Sequence, residues 1–319
     1  MRAGLVILLM FNILVANEYL DSIYDNIVLK NSKNAIESIK KLKQDIKTNN
    51  IKSAKKEFSN MVRTWKSVEA FYILGDLNED YLDTPRYLDT FHHGNEDIKE
   101  QLDLIIKDSE DLSISLYKNS HKTINALEYI LFTKDFKNKR VKDIALIISL
   151  KMLENLNEIY KAYKQARKDF VLDEKRANAI MLNSLIENSY KLKEWRIGDA
   201  AGLSRKYRNK PDNNRAEYSI SKNSANAISA ILDTHYKILA NQSFKNYGSL
   251  IQSYDIKNEL NDAIKYLKQS KQNLKFILND DFSKAKPLFN STKKLHATYY
   301  ISLIGKLKVT AKVLDADGD

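Results

Sequence analysis

Residues 51–74 read IKSAKKEFSNMVRTWKSVEAFYIL, and Ala54, Phe58, Met61, Trp65, Val68 and Tyr72 recur within them at three-to-four spacing. That period puts the apolar side chains on one stripe of an α-helix. The same period governs Tyr19–Lys47, through Leu20, Ile23, Ile27, Ala35, Ile39, Leu42 and Ile46. It returns in residues 121–132, 140–170, 173–195, 219–239, 255–278 and 288–314. Only 8 Gly and 3 Pro punctuate 319 residues, which argues against sandwiches and loop-rich folds. The spacing therefore predicts an all-α chain.

The helical pattern stops twice. Gly75–Gly94 is acidic and aromatic, with Asp76, Asp80, Asp83, Pro85, Asp89 and the pair His92–His93. Gly198–Arg215 contains Gly202 and Pro211. Each break follows a helix that carries a Trp and runs into a Gly-Asp pair: Trp65 before Gly75–Asp76, and Trp195 before Gly198–Asp199. The echo suggests a duplication, giving two packed helical bundles at residues 17–137 and 138–319 whose irregular stretches face one another across a cleft.

The chain begins Met1–Arg2, followed by an apolar run from Gly4 to Ala16 and a polar return at Asn17–Glu18. A run of thirteen residues, broken only by Asn12, is short for a bilayer-spanning helix, and the flanks fit a secretory signal peptide over residues 1–16; an uncleaved anchor is the alternative. Export to the periplasm or cell envelope is the expectation. The absence of Cys excludes disulfides, Cys-ligated zinc and a thiol nucleophile. Net charge is +11, and loss of residues 1–16 would remove only Arg2. The lysines are spread along helix faces with no Arg-rich stripe, so nucleic acid is not an expected partner. With no Gly-rich phosphate loop, neither is a nucleotide cofactor.

Residues 123–132 read TINALEYILF, with a lone carboxylate, Glu128, ahead of a bulky apolar run. The stretch resembles the Gly-x-His-x-x-Glu signature of the imelysin family, the exported helical proteins classed as M75 peptidases. Glu128 and the apolar tail are present; Thr123 stands at the Gly position and Asn125 at the His position. The resemblance extends along the chain. Trp65-x-x-x-Glu69-Ala leading to Gly75 looks like a family helix, and the loop Asp83-Thr-Pro85-Arg86-Tyr-Leu-Asp89 is similar to the family's acidic, Pro-containing loop. Arg196-Ile-Gly198-Asp-Ala-Ala-Gly202 resembles a second loop, with Ala200 where Pro is usual. Glu217-x-x-x-Ser221-x-x-Ser224 matches a further family pattern. The resemblance implies an exported two-bundle helical protein with a polar cleft, associated with iron uptake; the peptidase label belongs to a few members.

A His and a Glu at i and i+3 share a helical face and can hold one ion. Asn125 leaves that pair incomplete, since Asn is a neutral ligand and no general base. His121, two turns before Glu128, is a candidate replacement. Glu69, Glu217 and Ser221 are expected to approach Glu128 from neighbouring helices, giving a metal set of Glu128, Asn125, His121, Glu69 and Glu217. Such a carboxylate-rich set suits iron or another hard divalent or trivalent cation. His92, His93 and Glu96, with Asp89 nearby, form a second cluster; a helix start capped by Asn95 explains the same residues. Ser221 and Ser224 open a helix, as ligand contacts or as caps. His235 and His296 are isolated on helices. The expected function is binding of a metal or iron-containing ligand in iron acquisition, alongside an envelope iron-uptake protein. An M75-type metal-dependent peptidase with Glu128 as its catalytic carboxylate, and a non-enzymatic protein-interaction module, are the alternatives.

Overall fold

A computed structural model describes residues 18–94, 96–240 and 243–312. The signal peptide at 1–16, its cleavage before Asn17 and the helix start at Asn95 lie outside the described residues. No strand occurs among those described, and the chain is all-α.

Helix α1 covers 18–47, with π-helical turns at Tyr24–Leu29 and regular helix over Lys30–Lys47. Helix α2 is Ile51–Glu69, started by the Asn50 side chain, which accepts from Ser53 N–H. Helix α3 is Ile98–Lys107, capped by Asp97. Helix α4 is Ile124–Thr133, capped by Thr123, and α5 is the 34-residue Lys139–Leu172, about 50 Å long. Helix α6, Glu174–Lys191, is capped by Asp173 and continues as a π-helix through Leu192–Asp199. Helices α7 (Ser224–Ala240), α8 (Tyr247–Ser253) and α9 (Lys257–Asn273) follow. Helix α10 is Lys286–Ala297, prolonged by π-helical Thr298–Leu303. Every Asx or Thr cap named here satisfies an amide that the first helical turn cannot pair internally.

The apolar stripes decide the packing. In α2 the side chains of Ala54, Phe58, Met61, Trp65 and Val68 are all buried, as their period requires. Helices α1, α2, α4 and α5 pack on one another, and α6, α7, α9 and α10 do the same. Helix α5 lies against α1 and α4. The two groups meet along α2 and α7. There Arg63 donates to Asn226 (3.0 Å) and Asp233 (3.1 Å), and Asn226 donates to the Ser59 carbonyl (2.9 Å).

Two helix ends differ from the periodicity. The helix expected from Ser219 begins at Ser224, because Tyr218 (φ 57°) and Lys222 (φ 58°) adopt left-handed backbone that no helix continues through. The last helix, expected to reach Leu314, stops at Leu307, where Lys308 (φ 53°) forms a left-handed cap. The irregular stretches at 75–94 and 198–215 both contribute to the lining of one cleft of about 1110 Å³.

Candidate functional site

Four segments build the floor of this cleft. The last turns of α2 bring Trp65, Lys66 and Glu69. The first irregular stretch brings Asp89, Phe91, His92 and His93. The π-helix after α6 brings Trp195, Arg196 and Asp199; its extra residue per turn rotates these side chains out of the register that a continued α-helix would give them. Residues 217 and 218 bring Glu217 and Tyr218. His92 (φ 61°) and Tyr218 (φ 57°) both hold left-handed backbone, a cost of about 1–3 kcal/mol each that the surrounding contacts must offset.

At the centre stands Lys66, fully buried, with its Nζ 2.6 Å from Glu69, 2.7 Å from Asp89 and 2.5 Å from Glu217. Arg196, equally buried, donates from Nε to Glu217 (2.8 Å) and from Nη2 to both oxygens of Glu69 (2.8 and 2.9 Å). Asp89 also accepts from Trp65 Nε1 (3.1 Å), Tyr218 OH (2.7 Å) and the Phe91 amide (3.0 Å). Arg196 Nη1 is buried without an acceptor among the described residues. Burial alone would push Glu69 and Asp89 up and Lys66 down, yet mutual attraction wins: both carboxylates are held below their usual range and Lys66 above its own. Glu217, the most enclosed of the carboxylates, is raised by burial. Glu69 is a fifth exposed and lines the cleft, so the network reaches solvent through it.

Glu69, Asp89 and Glu217 place one oxygen each within 4.8 Å of one another, which is metal-like spacing. The Lys66 ammonium already lies within 2.7 Å of all three, in the position a cation would take. These residues therefore do not fit a resident metal ion while Lys66 is in place and charged.

The other sequence candidates are dispersed around this network. Glu128 is buried, and its Oε1 accepts from Ser221 N (2.8 Å) and Ser221 Oγ (2.7 Å). Burial raises its pKa to about 7 despite those bonds. Of the three neighbours expected beside it, only Ser221 pairs with it; Glu69 and Glu217 gather on Lys66 and Arg196. Asn125 Oδ1 is engaged by the amide (2.8 Å) and hydroxyl (3.0 Å) of Thr90. His121 does not lie two turns back on the Glu128 helix: Thr123, with extended backbone, caps α4, and His121 sits in the preceding 3₁₀ turn facing Gln101 (2.7 Å). His92 Nε2 lies 2.9 Å from Asp199 and stacks on Trp195 at 4.5 Å, joining the two irregular stretches. His93 meets Trp195 edge-on and lines the cleft. Glu96 turns away to Ser120 (3.1 Å) and Lys118 (3.3 Å). Ser224 donates its hydroxyl to the Glu217 carbonyl, and its amide is capped by Asp280 (2.6 Å).

Lys66 and Tyr218 were not singled out by sequence, and Trp195, Arg196 and Asp199 were marked only at the second break and in its family-like loop, not as site residues. Lys66 had a signal: it follows Val62 by four residues and precedes Glu69 by three, a lysine on the apolar stripe.

An all-helical chain with a polar cleft between two irregular stretches, floored by a buried charge network, defines the class. A family model described as Imelysin (peptidase M75) matches residues 22–298, and the chain belongs to that family. The fold is similar to the crystal structure of an imelysin-like protein from Psychrobacter arcticum 273-4, with a TM-score of 0.77 and 16% identity over 94% of this chain and 98% of that one. It is also similar to a protein of Parabacteroides distasonis ATCC 8503 designated an iron-regulated protein A precursor, with a TM-score of 0.68 and 13% identity over 92% and 94% of the two chains. No curated protein matches the chain.

Proposed function

We propose that this chain is an exported, non-hydrolytic binding protein of the cell envelope, acting in iron acquisition. Its cleft takes iron as a preformed complex rather than as a bare ion. The observation that carries this reading is Lys66 at the centre of the three carboxylates: the one acidic cluster with metal-like spacing among the described residues holds an ammonium in the cation's place. A cleft of about 1110 Å³ lined by His92, His93, Trp195, Arg86 and Arg205 suits a chelate with an anionic or aromatic shell. The designation of the Parabacteroides protein as iron-regulated supports the choice of metal.

Titration with ferric citrate tests it. Of the two tryptophans, Trp195 lines the cleft and Trp65 is buried beside Asp89. Ferric citrate should quench Trp195 emission saturably, and Trp195→Phe should remove most of the signal; citrate alone and zinc should not reproduce it. Absence of any saturable binding of the ferric complex overturns the proposal.

The second reading, a peptidase, rests on Glu128, whose carboxyl titrates near neutrality beside the Ser221 hydroxyl, as a general base and nucleophile would. Cleavage of an unfolded protein that Glu128→Gln abolishes would establish it in place of the first.

A further inference from the structure

Away from the cleft, the connection between α9 and α10 is a compact series of 3₁₀ turns over 274–284. Ile277 and Phe282 are buried and anchor it, while Phe276 (54% exposed) and Leu278 (69% exposed) project outward. Lys275, Lys284 and Lys286 are exposed beside them. Of the two local acids, buried Asp280 caps α7 through the Ser224 and Ala225 amides, while Asp281 stays exposed and accepts from Ser283 and Asn213. Asn213 in turn accepts from the Phe282 amide (2.9 Å), which joins this turn to the loop at 205–215. That loop exposes Arg208 and Lys210 and is braced by Arg215 stacked 4.2 Å over Tyr207. Two large apolar tips thus stand on a turn anchored by Ile277 and Phe282, in a segment whose exposed charges are Lys275, Lys284 and Lys286 against Asp281.

We infer that this end of the molecule docks on a bilayer carrying anionic lipids. Phe and Leu tips gain by entering the boundary between headgroups and acyl chains, and lysine stems reach from there to the phosphates. Charge complementarity selects the anionic surface, because each basic group near it gains about 1 kcal/mol, roughly fivefold in partitioning. A purely electrostatic polyanion site would have no use for exposed Phe276 and Leu278.

Co-sedimentation of the full chain with vesicles decides it, comparing phosphatidylcholine alone with an equimolar mixture of phosphatidylcholine and phosphatidylglycerol. Any contribution of the apolar run at 4–16 is common to both vesicles, so the readout is the difference between them. We expect stronger partitioning to the mixed vesicles. Replacing Lys275, Lys284 and Lys286 by Ser should cut that difference by roughly a hundredfold, the product of three fivefold terms. Phe276→Ser with Leu278→Ser should also weaken binding, and the single Phe276→Trp should show blue-shifted emission on mixed vesicles only. All substituted positions are exposed, and unchanged helical circular dichroism verifies folding. Equal binding to both vesicles overturns the proposal. So does binding that needs the lysines but is indifferent to Phe276 and Leu278, which would mark a site for a soluble polyanion or an acidic protein.

Discussion

Two side chains carry opposite lessons about burial. Lys66 is fully enclosed yet stays charged, because three carboxylates surround its Nζ. Removing it leaves those carboxylates facing one another, so Lys66→Met should cost about 3–5 kcal/mol, the range for breaking a buried ion pair. If the ammonium stands in a cation's place, millimolar manganese should recover much of the lost melting temperature in the variant and leave the wild type unmoved. An equal shift in both proteins would show that Lys66 does not hold that position. Glu128 has no ion pair among the described residues, and burial outweighs the pull of Lys99 and raises its pKa from 4.5 to about 7. The folded state therefore keeps a proton that the unfolded chain releases. The contribution of Glu128 to stability is full below about pH 4.5, falls as pH rises through 7 and is then constant, a total loss of about 3 kcal/mol. Glu128→Gln removes this dependence. Its melting temperature should exceed that of the wild type at pH 8 and converge with it near pH 4.5; thermal scans at both values check the sign.

At the scale of the elements, what periodicity encodes was legible and what long-range contacts encode was not. The stripes of α1 and α2 were readable because each depends only on residues one turn apart. The start of α7 was not, because its first amides are capped by Asp280, 56 residues away, and not by the serines next to them. The π-helix at Leu192–Asp199 had no sequence sign, since a shifted hydrogen-bond register leaves composition unchanged. The same limit applied to the site. Glu69 and Glu217 were named from the family resemblance and Asp89 from its place near the His92–His93 pair, but their grouping depends on Lys66 and Arg196 drawing them together from three segments. Helix α8 offers a test of a close approach. A Cβ on Gly248 would lie 1.8 Å from the Leu239 carbonyl oxygen, so the backbones of α7 and α8 touch there. Gly248→Ala must push the two helices apart, and urea unfolding should show a loss of about 1–3 kcal/mol, as overpacking typically costs. A gain in stability, the usual result of Gly→Ala within a helix, would mean that this contact is absent in solution.

Across the whole molecule, the question is whether the two helical groups are separable. Three features tie them together. Helix α2 lies along α7 through Arg63, Asn226 and Asp233. The buried network joins Lys66 and Glu69 of α2 to Arg196 and Glu217 in the second half of the chain. His92 stacks on Trp195 and pairs with Asp199 across the cleft. Opening the halves would strand Lys66 and Arg196 with too few carboxylates, at a cost of several kcal/mol for each buried charge left unpaired. That penalty makes partial opening expensive relative to complete unfolding, so the molecule should melt as one unit. The two tryptophans provide the reporters, Trp65 in the first half and Trp195 in the second. Trp195→Phe leaves only Trp65 emission and Trp65→Phe leaves only Trp195. Within each variant, the fluorescence transition in urea should coincide with the loss of helical circular dichroism. A Trp195 transition that precedes the loss of helix, with Trp65 unchanged across the same range, would instead establish two bundles that fold separately and meet only at the cleft.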